Sequence, residues 1–154
     1  MSPSAQRDDW IAEDTDIQVP FSPLLRQELA KYWLDVAALE HASVASFARF
    51  TLQLMGLGAP ADLITEVQKA ASDEVRHARL AYGVASAYAH EPLGPSALEL
   101  ENVTVATDLE EAVRSLVEEA CFGETLGAAE AQAAAEFAVD PALTRICDEI
   151  ARDE

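Results

Sequence analysis

Positive charge is scarce in this chain. Ten Lys and Arg stand against 28 Asp and Glu among 154 residues, a formal net charge of -18. Such a surface repels nucleic-acid phosphates and anionic membranes, so neither is an expected partner. Cysteine is scarcer still. Two residues are too few for a disulfide scaffold, and they form no Cys-x-x-Cys pair of the kind a rubredoxin-like iron site needs. Six glycines and seven prolines exclude a collagen-like or wholly disordered chain. No apolar run is long enough to span a membrane. The first sixteen residues lack the basic-then-apolar order of a secretory signal. The expected location is the cytoplasm.

Half of the residues are apolar, and 16.6 kDa is the size of one ordinary domain. Residues 1–21 carry Asp8, Asp9, Glu13, Asp14 and Asp16 with little apolar periodicity, and read as a flexible acidic tail in which Trp10 and Ile11 can dock. Residues 22–154 read as an all-α domain. Ser22 and Pro23 fit an N-cap and a first helical proline. From Leu24 to about Met55 there is no Pro or Gly, and Ala37, Glu40, Val44, Phe47, Thr51 and Leu54 repeat at steps of three and four. Gly56 and Gly58 end that helix. Pro60 starts a second, to about Ala89, with Leu63, Val67, Ala70, Glu74, His77, Ala81, Val84 and Tyr88 on its inward stripe. These two form an antiparallel hairpin.

Pro92, Gly94 and Pro95 break the pattern, and residues 91–106 read as a long crossover. Thr107, with Glu110 three later, suggests a capping box for a third helix from Asp108 to about Ala138. Its expected stripe is Leu109, Ala112, Leu116, Glu119, Gly123, Leu126, Ala133 and Phe137. Asp140 and Pro141 open a fourth helix carrying Leu143, Cys147, Ile150 and Glu154. It has room for about fourteen residues, roughly 21 Å, against about thirty in each of the others. The expectation is a chain truncated in its fourth helix, or one whose gap is filled by a helix-supplying partner or a second copy. Cys121 and Cys147 stand too far apart along their helices for a disulfide, and are expected as buried or half-buried thiols.

The chain also resembles itself. Glu40 is followed by Gly58-Ala59-Pro60 and Ala71-Ser72-Asp73-Glu74; Glu119 is followed by Val139-Asp140-Pro141 and Ala151-Arg152-Asp153-Glu154. Each hairpin pairs a mid-helix Glu with an Asp-Glu on the return helix, which fixes architecture better than chemistry.

The chemical signal lies in these acidic residues. With 28 acids, some fall near any stripe, and His77 alone reads as a core residue. The conjunction in both halves is what singles them out. Bare carboxylates on an apolar face repel one another and are costly to bury. A divalent metal removes both problems. Glu74 and His77, three apart, can grip one ion, with Glu40 about opposite in the hairpin. The second hairpin offers Glu119 and Glu154. The repeat favours Glu119 in the third helix, with Glu124 as the alternative if that helix ends early. His41, about 100° round the helix from Glu40, is a weaker candidate. Asp73 and Asp153 can orient a ligand imidazole or lie on the surface.

This pattern resembles the ferritin-like superfamily of di-iron carboxylate proteins, in which two helices each supply a Glu and the other two each supply a Glu-x-x-His. The stretches Glu40-His41-Ala42-Ser43-Val44-Ala45-Ser46-Phe47-Ala48-Arg49-Phe50 and Cys121-Phe122-Gly123-Glu124-Thr125 resemble a set of bacterial ferritin-like proteins. The resemblance implies a four-helix bundle of two hairpins joined by a long crossover. It places metal ligands at Glu40, Glu74, His77, Glu119 (or Glu124) and Glu154. It also implies two iron ions in a full-length parent, with manganese an alternative, and oxygen or peroxide chemistry fed by an external reductant. The chain departs from the family where a fourth-helix histidine, three positions after Glu154, would stand. One ion or none is therefore expected in this polypeptide, with its activity impaired. The competing reading is a metal-free helical domain that packs against a partner.

Overall fold

The computed structural model describes residues 4–101 and 103–154, without the side chains of Glu119 and Ala120. It is an all-α bundle of four helices, three long and the last short, in two closely packed pairs joined by a long segment. Helix α1 (Pro23–Gly56) starts where the Ser22 hydroxyl accepts from the Leu25 amide at 3.4 Å, with Pro23 in its first turn. It ends at Gly58, whose φ of 72° few other residues adopt without strain. Helix α2 (Ala61–Ala89) returns antiparallel. On the expected stripes, Ala37, Thr51 and Leu54 of α1 and Val67 to Tyr88 of α2 are buried or half-buried, while Leu63 at the open end is exposed. Among the described residues, no helix is long and apolar enough to cross a membrane.

From His77 to Tyr88 nearly every side chain of α2 is buried, including those on its outer side. A helix buried all round must be covered all round. The cover comes from residues 4–22, the segment read from sequence as a flexible acidic tail. Strand β1 (Ser4–Gln6) pairs antiparallel with strand β2 (Leu93–Pro95), which follows α2. The intervening chain runs along α2, with Ala12 and Ile17 buried. Acidity masks this docking in the sequence: apolar residues at 10, 11, 12, 17 and 19 are interspersed with the acids, and basic side chains elsewhere meet the acids.

The third long helix is composite. Helix α3 (Leu109–Ser115) is capped by Asp108, whose carboxylate accepts from the Glu111 amide at 2.9 Å. This corrects the expected cap at Thr107. Asp108 reaches the third helical amide, while Glu110 instead pairs with Arg114 one turn on at 2.8 Å. A π-helical segment (Leu116–Cys121) follows, then α4 (Phe122–Phe137). The π segment holds one residue more than an α-turn. The inward face beyond it is therefore displaced by one position, from the expected Gly123, Leu126 and Ala133 to Glu124, Gly127 and Ala134. Leu126 and Phe137, expected in the core, are exposed at 61% and 83%.

Helix α5 (Pro141–Asp153) is capped by Asp140, which accepts from the Ala142 amide at 2.8 Å. It packs on α4 through Ile146, Cys147 and Ile150. Both cysteines are free; Cys147 is buried as expected, but Cys121 is exposed.

Candidate metal centre

Three helices converge on one acidic cluster. Glu40 projects from α1 one turn after the fully buried Ala37. Glu74 and His77 share a face of α2 by their three-residue spacing. Glu154 follows the last turn of α5, where its amide donates to the Ile150 carbonyl. One potential ligand atom from each of these four residues lies within 4.8 Å of the others. His77 Nδ1 is 3.2 Å from Glu154 Oε1, 3.7 Å from Glu40 Oε2 and 3.9 Å from Glu74 Oε1. The other ring nitrogen, Nε2, faces Asp153 at 3.5 Å. The imidazole thus turns one nitrogen to the carboxylates and the other to an acid that can fix its tautomer.

The electrostatics are unfavourable for a cluster left to itself. Burial, the Glu154 charge and the nearby Glu124 push the Glu40 carboxyl up to about 8. Burial and the charges of Glu154 and Glu40 push Glu74 up to about 8 as well. Burial lowers the proton affinity of His77, but the neighbouring Glu154 and Glu74 outweigh it and the net shift is upward. Glu154 moves the opposite way: burial opposes its charge, yet bonds from His77 and Glu124 hold it below its ordinary value. Glu74 Oε2 and both nitrogens of His77 are buried without a well-directed hydrogen bond. Each such orphan costs about 1–3 kcal/mol. A divalent cation beside Glu40, Glu74, Glu154 and Nδ1 would satisfy the acceptors and cancel the repulsion, so the donor set fits a metal.

The structure brings Glu124 to this cluster. It bonds to Glu154, and burial together with that partner raises it to about 9. The extra residue of the π segment turns Glu124 inward. Its sequence signal is the run of small residues in phase with it: Gly127, Ala131 and Ala134. The side chain of Glu119, the favoured third-helix candidate, lies outside the described residues. His41 faces away from the site, with its ring edge-on to Trp10 at 4.9 Å. Asp73 lies 3.9 Å from Lys69 in an exposed ion pair and takes no part.

Between α1 and the α4–α5 pair runs a groove of about 370 Å³. Trp33, Val36, Leu39 and Leu126 are among its apolar walls, and Glu40, Glu124 and Glu154 line it at the cluster. The acids are therefore reachable from one side. Comparison with protein-family models, with curated proteins and with solved structures gives no match. The functional reading rests on the geometry.

Proposed function

We propose that this chain is a ferritin-like metal protein that holds one transition-metal ion through Glu40, Glu74, His77 Nδ1 and Glu154, with Glu124 beside the ion. One observation carries the reading: four ligand atoms from three helices, within 4.8 Å of one another, in a buried setting where bare carboxylates repel. Three carboxylates and one imidazole suit iron, with manganese next. Bound iron supplies one-electron redox chemistry toward oxygen or peroxide, fed by an external reductant. The chain's own groups prepare the setting. Asp153 stands 3.5 Å from Nε2, where it favours the tautomer that leaves Nδ1 free for the ion. In the metal-free cluster burial and the bond with Glu154 raise the Glu124 carboxyl, which favours its protonated form as the donor to Glu154. The groove admits a small reactant to the Glu40 side. The cytoplasm, where such reductants are found, is the location that goes with this reading.

The test is elemental analysis of iron and manganese after anaerobic loading and desalting. About one ion per chain should be retained. Joint replacement of Glu74 and His77 by Ala should abolish retention while helix content persists. A folded, helical, unaltered chain that retains no metal would overturn the reading.

One observation favours a second reading. Phe122, Leu126, Phe137 and Val139 expose apolar surface along and just beyond α4. Surface of this kind suits a partner helix or a second copy of the chain. A metal-free chain that sediments as a dimer, and loses the dimer when Leu126 and Phe137 become Ser, would support an interaction domain instead.

A further inference from the structure

α2 carries Glu74 and His77, and the end of α5 brings Glu154, yet these two helices touch each other directly at few points. Something else must hold their separation. Residues 8–19 cross from one helix to the other and bond to both. On the α2 side, the Ala12 amide donates to the Arg79 carbonyl at 3.2 Å, and the Arg79 guanidinium donates to the Ile11 carbonyl at 3.2 Å. On the α5 side, the Arg145 guanidinium donates to the Asp14 carbonyl at 2.9 Å, and the Gln18 amide donates to the Asp140 carboxylate. Arg76 joins all three parts. It stands between Glu74 and His77 in sequence, and its guanidinium lies 2.8 Å from Asp14 and 2.8 Å from Glu149 of α5. Four of the ten basic side chains of an acidic protein, Arg7, Arg76, Arg79 and Arg145, are bonded to this one segment.

We propose that residues 8–19 form a strap that positions Glu154 and Asp153 against His77, and so sets the affinity of the metal site. The proposal rests on the metal reading above. The strap acts from the flank: Arg76 leaves the helix on a different face from Glu74 and His77, and among the described residues no hydrogen bond or ion pair joins residues 8–19 to Glu40, Glu74, His77 or Glu154. Its effect is to hold α5 at the separation where Glu154 Oε1 is 3.2 Å from Nδ1. The seat of the strap on α2 is Gly83. A Cβ there would fall 2.4–2.8 Å from the side chain of Thr15, its Cβ included, so rotation of Thr15 alone cannot relieve the overlap.

Gly83→Ala therefore tests the idea without touching any ligand or charge. Alanine favours the helix over glycine, so α2 should persist while the strap is pushed away. Manganese(II) affinity, measured on the full chain by competition with a fluorescent chelator, should fall about tenfold to a hundredfold, the range seen when partners of metal ligands are removed. Asp14→Ala, which frees Arg76 from the strap, should weaken binding in the same direction. Adding Thr15→Gly to Gly83→Ala removes the overlap and should restore the affinity, which ties the loss to the seat of the strap. In the metal-free chain, amide exchange in α5 should quicken in Gly83→Ala and return to normal in the double variant. Affinity within about twofold of the unaltered chain in both single variants would overturn the proposal. No manganese uptake by the unaltered chain would overturn the metal reading and this proposal with it. Normal uptake that the variants leave unchanged sinks the strap alone.

Discussion

The two halves of the bundle differ in the length of their return helices, Ala61–Ala89 against Pro141–Asp153, and are packed very differently. In the first, α1 and α2 meet along their whole faces, and the second half of α2 is buried on every side. In the second, α4 buries Ala135 but leaves Phe122, Leu126 and Phe137 in solvent. The π segment accounts for much of the contrast. One inserted residue turns the large side chains of α4 outward and brings small ones, with Glu124, inward. A regular helix would have filled the interface with Leu126 and Phe137. The displaced one leaves a groove and an acid. The first hairpin is therefore a rigid wall bearing Glu40, Glu74 and His77, and the second is an open wall facing the site.

That contrast can be broken at its strongest point by Leu80→Ala in α2. The side chain is fully buried, so truncation should cost about 2–5 kcal/mol in urea unfolding. A cost near zero would deny that the first hairpin is the well-packed half. Removing Val117 should come next in effect. Loss of one residue converts the π segment to an α-turn and rotates α4 by about 100° relative to α3. Glu124 should then leave the cluster and metal affinity should fall, with helix content unchanged by circular dichroism. Retained affinity would show that the insertion does not serve the site.

A further effect should appear with pH. The carboxyls of Glu40 and Glu74 stand near 8 in the fold, and Glu124 near 9, all above their ordinary values. The folded state thus binds these protons more tightly than the unfolded chain. The resulting stability is present in full below the ordinary carboxylate range and is lost as pH rises through the raised values. His77, also raised, works in the same sense. Glu154, held low, contributes stability above its ordinary value that is lost only as pH falls through the depressed one. The metal-free Tm should therefore decline from about pH 5 to about pH 9, and a bound ion should flatten the decline. A metal-free Tm that rises over that interval would contradict the burial assigned to the cluster. The smallest expected change is Leu126→Ala. On the exposed face of α4 it should alter stability by no more than about 0.5 kcal/mol; a larger loss would mean that this face is covered in solution.

Much of the first hairpin was legible in the sequence. Steps of three and four from Ala37 to Leu54 and from Val67 to Tyr88 report buried faces because both helices are regular. The same reasoning failed after Leu116, since periodicity carries a phase across a helix and cannot register an inserted residue. The side chain of Glu119, which the repeat favours, lies outside the described residues, while the structure turns the alternative, Glu124, inward. The N-terminal segment was hidden for a different reason. Its apolar residues follow neither a helical nor a strand period, and its acids look solvated until Arg76 and Arg145, distant in sequence, are brought beside them. His77, Glu74 and Glu40 were legible because their spacing is local or lies across one short turn.

Glu40 and Glu154 stand 114 positions apart (154 minus 40), yet both lie against the same imidazole. Contacts of such long sequence separation require most of the chain to be in place before they form. An ion at this centre would consequently be captured after folding is nearly complete, not used as a template for it. Its influence should fall on the rate of unfolding, which it slows, while the rate of folding stays nearly constant.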